Sequence, residues 1–141
     1  MVDQNELHHT RLHICCISCV ITGLAAFAGC GDRAQIIEGR AVTSGTVRLD
    51  GQPLPAGTVA FTSQEPPYVT AMTKIRAGGK YLTDRVPIGK SVVTVDTRST
   101  LVGNPANYVA IPEKYRDPRE SGLTVEIMPG ENENVDFTLE K

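Results

Sequence analysis

Two textures of hydrophobicity divide the chain. From Leu12 to Gly29 the sequence LHICCISCVITGLAAFAG is one apolar run with no formally charged residue. From about Arg40 onward, apolar residues come in short alternations between turn signals. Alternation with a period of two puts apolar side chains on one face of a strand, and Gly and Pro punctuate it. Thr46-Val47-Arg48-Leu49 runs into Asp50-Gly51, where both residues accept positive φ, which predicts a hairpin. Pro53, Pro55 and Gly57 break the chain again. Thr58 to Thr62 predicts a strand with Val59 and Phe61 inward, and Val69 to Ile75 another, closed by Gly78-Gly79. Lys80 to Val86 follows, with a turn at Pro87-Ile88-Gly89 and the strongest β run at Ser91 to Val95. Leu123, Val125 and Ile127 alternate with Thr124 and Glu126. Pro129-Gly130 turns the chain, and Val135, Phe137 and Leu139 alternate with Asp136 and Thr138. No convincing amphipathic helix interrupts this pattern. The expectation is an all-β domain, an antiparallel β-sandwich of seven to eight strands.

The apolar run is a little short for a bilayer-spanning helix, which needs about 20 apolar residues. It is preceded by Arg11 and ends in small residues, the layout of a secretory signal, although Asp3 and Glu6 dilute the basic start. Its last residues lead into Cys30, just where charge resumes at Asp32 and Arg33. Phe27-Ala28-Gly29-Cys30 resembles the bacterial lipobox, whose usual form is Leu, then Ala or Ser, then Gly or Ala, then Cys. Three positions fit and Phe27 departs. The resemblance implies cleavage between Gly29 and Cys30 and a diacylglycerol on the Cys30 thiol, so that palmitate labels the chain. Such a lipid adds about 0.8 kcal/mol of membrane affinity per buried methylene. The alternatives are an uncleaved signal-anchor helix and a metal site of Cys15, Cys16, Cys19 and Cys30. Zinc sites prefer exposed thiolates at short regular spacing, and a greasy run does not offer them. The expected organisation is a signal peptide over 1–29, the lipidated Cys30 with a flexible tether over 30–39, and a domain over 40–141.

The stretch SGTVRLDGQPLPAGTVAF resembles the opening of carboxypeptidase-regulatory-like domains, also called transthyretin-like or prealbumin-like. GGKYLTDRVPIGKSVVTV is similar to the same family's later pattern, with Gly79, Tyr81, Pro87, Gly89, Val93 and Val95 on its positions. Ser91 stands where that family usually has tyrosine. IPEKYRDPRESGLTVEIMPGENENVDFTLEK is similar to the ending of small bacterial envelope lipoproteins that carry this domain. The resemblance covers about residues 41–141. It implies a prealbumin-like or Ig-like sandwich in the cell envelope, held to a membrane by lipid, with the domain on the periplasmic or outer side. Gly31 is not the aspartate that retains some lipoproteins at the inner membrane, which favours the outer membrane.

Composition narrows the chemistry. Net charge is −2 with both signs interspersed, which is no nucleic-acid footprint. His8, His9 and His13 all precede the apolar run, so no histidine follows Cys30, and neither does another cysteine. That removes Ser-His-Asp and Cys-His catalysis and ordinary His/Cys zinc ligation from the domain. Disulfides within it are excluded as well, because one cysteine cannot pair with itself. Enzymes of the transthyretin-like group that hydrolyse 5-hydroxyisourate use histidines and a terminal Tyr-Arg-Gly-Ser motif, and this chain has neither. Asp117 with Glu113 or Glu120 leaves carboxylate chemistry as a formal option, and exposed charges in a Pro-rich loop are usually only solvated. Glu131, Glu133 and Asp136 make no regular calcium loop. The expectation is no catalysis, no cofactor and no metal.

The longest segment without alternation is NPANYVAIPEKYRDPRESG, residues 104–122. Long loops are often functional. Tyr108, Tyr115, Arg116 and Arg119 are of types enriched in binding hot spots. These residues are the expected contact surface for an envelope protein or a glycan. The competing expectation is that Ile111 and Tyr115 pack the loop over an open end of the sandwich, with its charges outward. Two functions follow: a structural or protein-interaction module on a lipid-anchored protein, or a periplasmic or surface module binding carbohydrate or another ligand. A surface row of aromatics would favour the second. There is no tryptophan, and only four tyrosines are available.

Overall fold

The computed structural model describes residues 39–141. The expected signal peptide, Gly29, Cys30 and the tether before residue 39 lie outside the described residues, as do Cys15, Cys16 and Cys19. The strands are β1 (Arg40–Leu49), β2 (Gln52–Pro53), β3 (Gly57–Ser63), β4 (Thr70–Ile75), β5 (Lys80–Pro87), β6 (Gly89–Asp96), β7 (Leu123–Ile127), β8 (Glu131–Asn132) and β9 (Phe137–Leu139). One sheet has the order β4-β3-β6-β7. In the other, β1 is central, with β5 and β2 hydrogen-bonded to it and β8 and β9 joined to it from the C-terminal segment. The described residues are mostly β, consistent with an all-β sandwich whose two sheets enclose one core.

The period of two accounts for that core. Val59 and Phe61 in β3, Val93 and Val95 in β6, Val47 in β1 and Leu139 in β9 are completely buried. Their neighbours Thr58, Thr62, Val92 and Thr94 face the other way and are only half-buried. Phe61, Tyr81 and Phe137 meet in the middle, with ring centroids 5.8 to 6.3 Å apart. Aromatic trios of this kind add to the plain area term through offset and tilted ring contacts. The Asp50-Gly51 hairpin forms as its residues dictate: φ is 48° and 79°, and Leu49 pairs with Gln52.

Two expectations need correction. β1 extends back to Arg40, because Arg40 to Thr46 pairs with β5, although Thr43, Ser44 and Gly45 give this half no apolar alternation. The sandwich is also not purely antiparallel. β8 and β9 both run parallel to β1, with Val42 opposite Glu131 and Val47 opposite Phe137. The cause is the end at which the chain changes sheets. It leaves β7 and crosses to the facing sheet at residues 128–130, beside the start of β1, where the Val42 N–H donates to the Gly130 carbonyl at 3.0 Å. From there it can only travel in the direction of β1.

The sandwich thus has two ends. Gly39, the β3–β4 loop, the β5–β6 turn and residues 128–130 share the proximal end, where the Ile88 N–H donates to the Gly39 carbonyl. The Asp50-Gly51 hairpin and the connection of residues 97–122, which contains the helix α1 (Ser99–Gly103), share the distal end. Near the proximal half the core turns polar: Thr43 and Ser91 are fully buried, and neither hydroxyl has a hydrogen-bond partner.

Candidate functional site

The connection of residues 97–122 is held to the sandwich at two points. The Thr97 hydroxyl, at the end of β6, donates to the Val109 carbonyl at 2.7 Å. The Tyr115 hydroxyl accepts from the Glu140 N–H at 2.9 Å and donates to the Glu140 carbonyl at 3.3 Å, just beyond β9. Tyr115 is buried, with Val109 and Ile111 packed against the same core. Tyr115 is thus placed as the packing expectation has it, with its ring buried at the distal end.

Most of the charged residues around Tyr115 are exposed, Arg116 being the exception. Arg98, Glu113, Arg116, Asp117, Pro118 and Glu120 line an open depression of about 470 Å³. The Arg98 guanidinium donates to Asp96 Oδ2, at 2.7 Å from Nη2 and 3.1 Å from Nε, and Nε also donates to Oδ1 at 3.2 Å. That hydrogen bonding holds the Asp96 carboxyl below its ordinary range, and the Arg98 and Arg116 charges act in the same direction. The same bond raises Arg98. Arg116 is paired with Glu113, and its side chain is only 16% exposed while that of Glu113 is 91% exposed. A carboxylate here is thus displayed at the rim while its guanidinium forms the floor. The Asp117 carboxylate accepts from the Arg119 N–H at 2.8 Å, which tightens the turn that carries both.

The expected site residues therefore separate. Arg116 lies in the depression, Arg119 is exposed on the neighbouring turn, Tyr108 is half-buried on the earlier part of the connection, and Tyr115 is beneath. Asp96 and Arg98 complete the arrangement and were not anticipated. Their signal was an acid and a base two residues apart at the end of the strongest β run, immediately before the long loop. No family model matches the chain, and no curated protein matches it either.

The depression carries both charges, each guanidinium already paired with a carboxylate. The Arg98–Asp96 pair is largely exposed and contributes little to stability, whereas the Arg116 guanidinium is mostly covered. The arrangement suits a polar, mixed-charge protein surface, where complementary charges set register and encounter rate. The tyrosines do not form a row. Tyr81 and Tyr115 are buried, while Tyr68 and Tyr108 stand at opposite ends of the sandwich. Among the described residues, no three His, Cys, Asp or Glu side chains converge to hold a metal ion, and no helix is long and apolar enough to cross a membrane.

Proposed function

We propose that this protein is a bacterial envelope lipoprotein. Acylated Cys30 ties the chain to a membrane, and a prealbumin-like sandwich acts without catalysis as a structural or protein-interaction module. The observation that carries this reading is the polarity of the domain. Gly39, the first described residue, lies at the proximal end, and the mixed-charge depression around Arg98 and Arg116 lies at the distal end. With an anchor at Cys30, a surface at the end opposite Gly39 is open to partners in the aqueous phase. The lipobox-like Phe27-Ala28-Gly29-Cys30 supplies the anchor, and the absence of histidine and thiol after Cys30 favours binding over catalysis. The scatter of the tyrosines favours a protein partner over a glycan.

The test combines two variants in intact cells. Metabolic labelling with palmitate marks the wild-type chain and not Cys30→Ala. Crosslinking then recovers a partner with the wild type, and recovery falls several-fold in Arg98→Glu with Arg116→Glu, while the domain stays folded. Equal recovery from both proteins would remove the distal surface from the account.

A further inference from the structure

The proximal end carries large apolar side chains with no partner in the fold. Tyr68, in the β3–β4 loop, is 73% exposed, and Met128, after β7, is 60% exposed. Pro66, Pro67 and Pro129 beside them are exposed as well. Both turns are firmly built. The Ser63 N–H donates to the Val69 carbonyl, and the Ser63 hydroxyl to the Glu65 carbonyl at 2.7 Å. The Asn132 side chain holds Met128 on both sides, accepting from its N–H at 3.0 Å and donating to its carbonyl at 2.9 Å. The fold thus holds these side chains out in water rather than letting them collapse. Tyr68 and Met128 stand at opposite margins of the β4-β3-β6-β7 sheet, separated by three strand spacings, or about 14 Å.

We propose that this end rests on the bilayer surface, with Tyr68 and Met128 inserted at the headgroup level. The inference rests on the reading that the chain before Gly39 is fixed in a membrane. Nine residues separate Cys30 from Arg40, and fully stretched they reach about 30 Å, roughly the length of β1 itself. The proximal end therefore never leaves the neighbourhood of the headgroups, and contact is effectively intramolecular. Tyrosine suits that depth, because its ring is apolar and its hydroxyl stays wet. The nearby charges are mixed, with Arg40, Arg85 and Lys90 against Glu65, Glu126 and Glu131. The contact is therefore apolar in origin and only weakly dependent on salt.

The chain has no tryptophan, so a single one introduced by substitution reports its own depth. Full-length Tyr68→Trp, Met128→Trp and Val102→Trp are each reconstituted into phosphatidylethanolamine and phosphatidylglycerol vesicles with brominated acyl chains. Val102, 93% exposed on α1, is the distal reference. The expected result is at least twofold quenching and a blue shift for Tyr68→Trp and Met128→Trp, kept in high salt, with Val102→Trp unaffected. Equal emission from all three overturns the docking. Palmitate labelling of the same preparations separates the two ideas. Label with equal emission overturns docking alone. Differential quenching without label upholds docking and overturns lipidation at Cys30. Neither signal overturns both.

Discussion

The Val135 carbonyl occupies the space in which a side chain on Gly45 would begin. A Cβ at Gly45 would overlap that carbonyl and lie 3.0 Å from the Tyr81 hydroxyl. Tyr81 donates to the same carbonyl at 2.5 Å, and the Val135 N–H donates to the Ser44 carbonyl at 3.0 Å. One residue further, the Asp136 carboxylate accepts from the Thr46 N–H at 2.7 Å and pairs with Arg48. The C-terminal segment thus bridges the gap between β8 and β9 by pressing its backbone against the one residue of β1 with no side chain. Burial, and the nearby Asp136 charge, push the Tyr81 hydroxyl's pKa upward, so it remains a donor throughout the ordinary pH range.

Gly45→Ala is expected to displace this crossing. Backbone cannot yield as a flexible side chain can, so the loss should reach about 3 kcal/mol or more. Urea unfolding of the full chain measures it. Tyr81→Phe, which loses the hydroxyl and keeps the ring, should cost about 1–2 kcal/mol.

Thr43→Val is expected to stabilise. The Thr43 hydroxyl is buried without a partner, so the folded state carries a desolvation cost with no bond to offset it. Valine has the same shape without that group. A gain of about 1 kcal/mol is expected in the same unfolding experiment, and Ser91→Ala should show a smaller change, because it leaves a slight void where an oxygen was.

Acid should weaken the Asp96–Arg98 pair. The Asp96 carboxyl is held low in the fold, chiefly by its hydrogen bond to Arg98. Its contribution is therefore fully present above the unfolded carboxylate pKa of about 3.9 and is lost as pH falls through the lower folded value. Both side chains are more than a third exposed, so the effect is small and shrinks in salt. Stability curves of wild type and Asp96→Asn should converge below that range and separate above it.

Tyr115→Phe and Arg116→Ala should divide structure from recognition. The first removes the hydroxyl that closes the distal end on Glu140 and should cost about 1 kcal/mol of stability. The second removes a side chain only 16% exposed, so it should cost about 1 kcal/mol or less through lost packing and reduce crosslinked partner recovery in cells by more than that loss accounts for.

Much of this was legible in the chain because strands carry their own period. Val59, Phe61, Val93 and Val95 alternate plainly, and Asp50-Gly51 names its turn. The first half of β1 was not legible, since its inward positions are the small Ala41 and the polar Thr43 and its next residues are Ser44 and Gly45. Gly45 makes sense only once Val135 lies across it. The parallel course of β8 and β9 was hidden too, since alternation assigns a face and says nothing of direction. In the candidate site, residue types alone could not separate Tyr115 from Arg116. Burial does, because the tyrosine reaches Glu140 and the arginine reaches Glu113. Asp96 and Arg98 join that site only through the fold, which returns the 97–122 connection to the end of β6.

The central claim is the anchor at Cys30, and the intact mass of the protein extracted from membranes tests it most directly. The account predicts a chain that begins at Cys30, lacks residues 1–29 and carries the added mass of acyl groups on that residue. A membrane-bound chain that keeps residues 1–29 with an unmodified Cys30 contradicts it and makes the apolar run a signal-anchor.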